Sequence, residues 1–224
     1  METPASTPPV DTPRWNLATR IAFRFCFAYF VLYLFPGTLG SLIFSDYFFR
    51  YIFYWHDEFW KALVPWVGEH ILHLSHPITI LPAGSGDTTW NYVQILCMLV
   101  FALAATAIWS LLDRRRPAYP KLYKWVRVIV RIYLALALMA YGMDKVIPLQ
   151  MPQPSLLSLT KSFGDIPPGG LLWSFIGASS PFEVITGLVE TVGGLLLIFE
   201  RTTVLGAIVG AGSMVFVFAL KNKQ

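Results

Sequence analysis

Two predicted membrane helices in the second half of the sequence carry the charged residues Arg131, Lys145, Glu183 and Glu190, with Asp144 next to Lys145. Charged side chains are costly at membrane depth, so each one is a candidate for function and needs a partner. On a helix that turns about 100° per residue, Arg131 and Lys145 return to within about 40° of each other. Glu183 and Glu190 return to within about 20°. The spacing therefore predicts one charged stripe on each of two neighbouring helices.

The depths of these residues predict how the charges pair. Lys145 and Glu183 both lie toward the outer ends of their helices, whereas Arg131 and Glu190 lie within roughly 7 Å of each other along the membrane normal. We therefore expect two ion pairs, Lys145 with Glu183 and Arg131 with Glu190. One interpretation is that these pairs only hold the helices together. The other is that Glu190 binds a proton, a quinone or another ligand, because a carboxylate at the midplane is either paired or protonated.

Membrane helices must position these charges. The 224 residues are 55% hydrophobic and only 13% charged, with a mean hydropathy of +0.56, which excludes a water-soluble enzyme. The predicted fold class is all-α, a multi-pass transmembrane helix bundle of five spans. The spans are expected at 17–44, with a bend or an end near Pro36 and Gly37, and at 92–112, 125–147, 181–199 and 204–220.

Positive residues predict the orientation. Arginines at 14, 20 and 24 and the basic loop at 113–127 lie on one side, which the positive-inside rule makes cytoplasmic. We therefore expect a plasma-membrane protein with a flexible cytoplasmic tail at 1–16, a two-helix region at 17–116 and a second bundle at 117–224. Five spans place the C-terminus, with its two lysines, on the outer side. The positive-inside rule disfavours lysines there, so a missing last helix is also expected.

All four histidines fall in the predicted outer loop between the first two spans. Residues 58–75 have the pattern of an amphipathic helix lying on the outer membrane surface. On that helix Glu69, His70, His73 and His76 would share one arc. The arc is either simply the wet face of the helix, a metal or haem site formed by imidazole and carboxylate ligands, or a face that responds to pH.

One family resemblance follows from these residues. Over about 125–220 the chain resembles the DoxX-like membrane protein family in the order of Arg131, Tyr141-Gly142, Lys145, Pro181, Glu190, Gly193-Gly194, Arg201 and Gly206. That family forms a four-helix membrane bundle and is associated with quinone-linked oxidoreductases, including subunits of a thiosulfate-to-quinone system. The resemblance implies that the family's polar positions fall on Arg131, Lys145, Glu190 and Arg201. This chain departs from the family in two extra helices in front, a long segment at 148–180 and no counterpart of the last helix.

Two classes of function remain open. The first is an accessory or electron-transfer subunit of a quinone-linked oxidoreductase with further subunits as partners in the bilayer. The sequence does not identify its cofactor: quinone is one candidate, and haem or a metal is less favoured. The second is a non-enzymatic membrane protein: a small-solute or proton transporter, or an assembly or scaffold factor. A nucleic-acid partner is not expected, because the basic residues lie beside apolar runs rather than along a polar, aromatic-studded surface.

Overall fold

The computed structural model describes residues 14–35, 46–78, 88–151, 153–166 and 168–221. These parts of the chain are helical and contain no strand. The helices are α1 Leu17–Leu34, α2 Asp46–His70, α3 Thr89–Leu112, α4 Pro120–Val146, α5 Leu156–Leu159, α6 Pro168–Gly177, α7 Ser180–Ile198 and α8 Thr203–Lys221. A short 3-10 helix, Phe163–Asp165, lies between α5 and α6.

Among the described residues, α1, α3, α4 and α7 are long and apolar enough to cross a membrane. The protein is therefore a multi-pass helical membrane protein. The predicted fifth span corresponds to α8, Thr203–Lys221, in which the described apolar segment is Thr203–Val217. A fifth crossing of the membrane remains a prediction.

Local sequence signals explain where two of the spans begin and end. The side chain of Asn16 accepts a hydrogen bond from the Thr19 N–H at 2.7 Å and caps the start of α1. Helix α1 ends at Leu34, ten residues before the predicted end of the first span, since a residue that precedes a proline disfavours helix. The predicted bend at Pro36 and Gly37 falls outside the described residues. Helix α3 begins with a capping box between Thr88 and Asn91.

The chain divides into two compact units, and the boundary between Val126 and Arg127 falls inside α4. In unit 1, α3 packs against both α1 and α2. The buried residues of the α2–α3 contact are Trp60, Val64, Val67, Val93, Cys97 and Met98. The structure thus corrects the prediction for 58–75: the helix begins at Asp46, ends at His70, and its apolar face packs on α3. The helix packs on α3 because three apolar side chains of α2 and three of α3 are buried against each other.

In unit 2, α7 and α8 form an antiparallel pair of helices joined by a short turn. A Cβ atom added to Gly206 would lie 2.9 Å from the carbonyl oxygen of Gly193. The two backbones therefore touch, as small residues allow in membrane helix pairs. In the turn, the Thr202 hydroxyl donates to the Leu196 carbonyl at 2.7 Å and closes the end of α7.

Candidate functional site

Glycines bring α4 and α7 into backbone contact within unit 2. A Cβ atom on Gly142 would lie 2.7 Å from the carbonyl oxygen of Gly187, and one on Gly187 would lie 2.6 Å from the carbonyl oxygen of Gly142. Further along, a Cβ atom on Gly194 would lie 2.7 Å from the carbonyl oxygen of Ala135. No larger residue fits at these three positions without moving the helices apart. The glycines therefore fix the antiparallel register of α4 and α7.

This register places Lys145 beside Glu190, each three residues beyond a contacting glycine. The Lys145 ammonium donates to both carboxylate oxygens of Glu190, at 2.6 Å to Oε1 and 2.5 Å to Oε2. The side chains are 7% and 3% exposed. A buried pair of this kind satisfies both charges, whereas the loss of one partner leaves an uncompensated charge inside the protein.

The predicted pairing of Lys145 with Glu183 and of Arg131 with Glu190 is wrong. Arg131 instead lies near Glu200, with 3.7 Å between Nη1 and Oε1. Fourteen residues separate Arg131 from Lys145, which is about 21 Å along a helix. The prediction placed the residues by depth alone, and the glycine contacts set a different register. The structure therefore brings together only Lys145 and Glu190 of the four predicted charges.

Glu183 is buried but belongs to a different contact. It is 1% exposed, and its Oε1 accepts a hydrogen bond from the backbone N–H of Met151 at 3.1 Å. The chain before Met151 folds back on the end of α4, where the N–H groups of Leu149 and Gln150 both donate to the Asp144 carbonyl. Glu183 thus anchors the segment that follows α4 to the start of α7.

A groove of about 370 Å³ lies between α7 and α8, and Glu190 is one of its lining residues. Most of the lining is apolar, and its polar members besides Glu190 are Thr186 and Ser213. Each hydroxyl donates to its own helix, Thr186 to the Glu183 carbonyl at 2.7 Å and Ser213 to the Val209 carbonyl at 3.1 Å. Their lone pairs remain as acceptors. The groove therefore suits an apolar ligand that donates hydrogen bonds.

The remaining residues of the family resemblance lie elsewhere in unit 2. Gly193 is buried against α8, where an added Cβ atom would lie 3.1 Å from a methyl group of Val209. Arg201 is exposed in the turn between α7 and α8. Gly142, Gly193 and Gly194 therefore have a packing role, and Arg201 does not join the buried pair.

The predicted histidine arc does not form, because α2 ends at His70. His73 lies beyond the helix with a φ of 48°, and His76 follows in irregular backbone. The His70 ring stacks on Trp66, with 5.3 Å between ring centroids. Within the described ranges no group of three or more His, Cys, Asp or Glu side chains could hold a metal ion.

Sequence reasoning missed the buried Arg24 of unit 1 and treated it only as an orientation signal. Its side chain is 2% exposed and donates to the Ser110 hydroxyl at 2.9 Å, the Asp113 carbonyl at 2.6 Å and the Tyr119 hydroxyl at 2.7 Å. Tyr119 in turn donates to the Asp113 carboxylate at 2.8 Å. The sequence did contain a signal for this role: Arg24 lies two turns inside an apolar helix, where a charged side chain needs a partner.

Comparisons of the chain with protein-family models, curated proteins and solved structures found no match. The fold defines the class of this protein, which is a multi-pass helical membrane protein. The resemblance of 125–220 to the DoxX-like family rests on the residues named above and remains a prediction.

Proposed function

We propose that this protein is an accessory or electron-transfer subunit of a quinone-linked oxidoreductase in the plasma membrane, with its N-terminus in the cytoplasm. The groove between α7 and α8 then holds the ring of the quinone in its reduced form. One observation supports this most: Glu190, whose carboxylate is paired with Lys145, is also a lining residue of the groove. Membrane quinones combine an apolar tail with a small polar ring, which matches an apolar groove with few polar residues.

The polar groups favour the reduced ring, the quinol. A quinol donates hydrogen bonds through its hydroxyls, and Glu190, Thr186 and Ser213 offer acceptors. Glu190 accepts a hydrogen bond from a ring hydroxyl while Lys145 remains its partner on the other side. Oxidation of the quinol would give two electrons to a redox group on a partner subunit and two protons to water, so this chain would serve to bind and orient the quinol.

A second candidate function follows from the completeness of the ion pair. Lys145 and Glu190 satisfy each other without a ligand. This observation favours a structural pair in a non-enzymatic protein, either a small-solute or proton transporter or an assembly factor. In that case the groove would hold only lipid.

The test is to purify the full chain in mild detergent and to examine it by ultraviolet–visible spectroscopy and mass spectrometry for quinone, haem and metals. We expect bound quinone in the wild type and its loss in Glu190→Gln. The matched control is Glu183→Gln, which changes another buried carboxylate of α7 that does not line the groove. It should keep its quinone.

Thermal unfolding of the three proteins separates binding from stability. Quinone-free wild type, with Glu190→Gln differing only in unfolding temperature, would contradict the proposal and favour the structural pair. Equal loss of quinone in both variants would also contradict it, because the effect would not depend on the groove.

A further inference from the structure

One end of unit 1 has a concentration of exposed positive side chains, here called the basic surface: Arg14, Arg114, Arg115, Arg116, Lys121 and Lys124. These residues flank the ends of apolar helices. Arg14 lies three residues before α1, and Arg114 lies two residues after α3. Lys121 and Lys124 lie in the first turns of α4. Cations that follow an apolar span so closely lie at the level of the lipid headgroups.

The basic surface has little negative charge near it in sequence. The described residues 14–35 contain three arginines and no carboxylate, and 88–126 contain five lysines and arginines and one carboxylate, Asp113. Asp113 accepts the Tyr119 hydroxyl hydrogen at 2.8 Å. Within the described residues none of the six cations forms an ion pair. An anion from outside the protein would therefore find an uncompensated positive field.

Hydrogen bonds from Arg20 of α1 and from Trp15, which precedes α1, fix the backbone that carries the three consecutive arginines. Arg20 Nη1 donates to the carbonyl oxygen of Arg114 at 3.3 Å and to that of Arg116 at 3.0 Å. The backbone N–H of Trp15 donates to the Pro117 carbonyl at 3.1 Å. These contacts order the backbone of the loop before any ligand arrives. Binding then costs less conformational entropy.

The Tyr119 ring positions one of the arginine side chains. The guanidinium of Arg116 lies 5.3 Å from the ring centroid, and that of Arg24 lies 5.4 Å from the same centroid. The cation–π contact holds Arg116 at the surface while Arg24 remains buried. Two positive groups on one ring repel each other, and a negative group bound to Arg116 would offset that repulsion.

We propose that the basic surface binds the headgroup of an anionic phospholipid, with the phosphate held by the arginines at 114–116. Guanidinium groups match phosphate oxygens in pairs, which makes arginine well suited to this contact. The position at the ends of membrane helices favours a lipid over a soluble anion. Basic clusters next to membrane spans bind anionic lipids, each cation contributing about fivefold to affinity.

The experiment is native mass spectrometry of the full chain after equilibration with equal amounts of phosphatidylglycerol and phosphatidylcholine. We expect the wild type to retain phosphatidylglycerol selectively. Arg114→Gln combined with Arg115→Gln should reduce this selectivity by about tenfold or more. The matched control, Lys61→Gln with Lys161→Gln, removes two exposed positive charges elsewhere and should leave it unchanged.

A second pair of substitutions, Lys121→Gln with Lys124→Gln, tests the same surface on a helix rather than a loop. It should also lower the selectivity, and its outcome decides the case if the first pair fails to fold. Equal retention of the two lipids by the wild type would overturn the proposal, as would equal losses in test and control pairs. Displacement of phosphatidylglycerol by excess inorganic phosphate would overturn it too, since a soluble anion would then suffice.

Discussion

Both units bury a positive side chain in a membrane helix, but they satisfy it differently. In unit 1, Arg24 donates to neutral oxygens of Ser110, Asp113 and Tyr119, and a carboxylate enters only through Tyr119. In unit 2, Lys145 faces the carboxylate of Glu190 directly. A guanidinium can donate to several oxygens at once, whereas an ammonium beside a carboxylate forms a direct ion pair. Arg24 therefore fastens several groups together, and Lys145 holds a single carboxylate.

The surroundings of the two charges sharpen this contrast. The partners of Arg24 come from 110–119, the end of α3 and the loop after it, so Arg24 fastens that loop to α1. The partner of Lys145 comes from α7 and lines a groove. The ion pair of unit 2 therefore includes a residue of the groove lining, while the described contacts of Arg24 enclose it.

The largest expected effect is the loss of stability in Lys145→Met. The substitution leaves the Glu190 carboxylate buried without its cation, which should lower the free energy of unfolding by about 3–5 kcal/mol. Unfolding in detergent, followed by circular dichroism, measures this change.

A double variant provides the control. Lys145→Met combined with Glu190→Leu removes both charges and should recover most of the lost stability, because an apolar pair of similar volume replaces a buried ion pair at little cost. A double variant as unstable as the single one would contradict the assignment of this pair.

The next effect in size is expected at Arg24. Arg24→Met removes several hydrogen bonds from a charged donor and should lower the free energy of unfolding by about 2–3 kcal/mol. Arg24→Lys keeps the charge but cannot reach Ser110 and Tyr119 together, so it should recover less than half of the loss. Full recovery by lysine would show that charge alone matters and would remove the contrast between the two units.

The sequence predicts the helices of this protein better than their contacts. The spans predicted at 92–112, 125–147 and 181–199 correspond to α3, α4 and α7 with ends that agree within five residues, because uninterrupted apolar runs define them. The face shared by Glu183 and Glu190 also follows from helical periodicity, and both are buried. Which partner each charge meets depends on a register that two glycines on different helices set together.

Long-range contacts explain the other differences. Arg24 bonds to Tyr119, ninety-five residues away, and a pattern within one helix carries no information about such a partner. The histidine arc required the helix to continue past His70, but the chain turns there. The packing of α2 on α3 likewise uses residues from two separate segments.

A smaller effect is expected where α4 and α7 touch. In Gly187→Ala the new methyl group would meet the Gly142 carbonyl and the Lys145 side chain, which should lower the free energy of unfolding by about 2 kcal/mol. Gly212→Ala is the matched control on α8, because an added Cβ atom there meets nothing within 4 Å. Equal stabilities of the two variants in thermal unfolding would contradict the close approach of the helices.

The smallest effect is expected at Tyr119. Tyr119→Phe keeps the ring contacts but removes the hydroxyl between Arg24 and Asp113, which should lower the free energy of unfolding by about 1 kcal/mol. Chemical denaturation of Tyr119→Phe and of Arg24→Met, measured in parallel, shows how much of the stabilisation by Arg24 depends on the tyrosine hydroxyl. A loss as large as that in Arg24→Met would mean that the tyrosine, rather than the arginine, anchors the loop.

The most direct test of a ligand site in unit 2 is the quinone content of Gly212→Leu. A Cβ atom added at Gly212 would meet nothing within 4 Å, and Gly212 lines the groove, so the leucine side chain should fill part of the groove. We expect bound quinone in the wild type, little or none in Gly212→Leu, and similar unfolding temperatures for the two proteins. Equal quinone content in both proteins would contradict it, because the groove would then not be where the quinone binds.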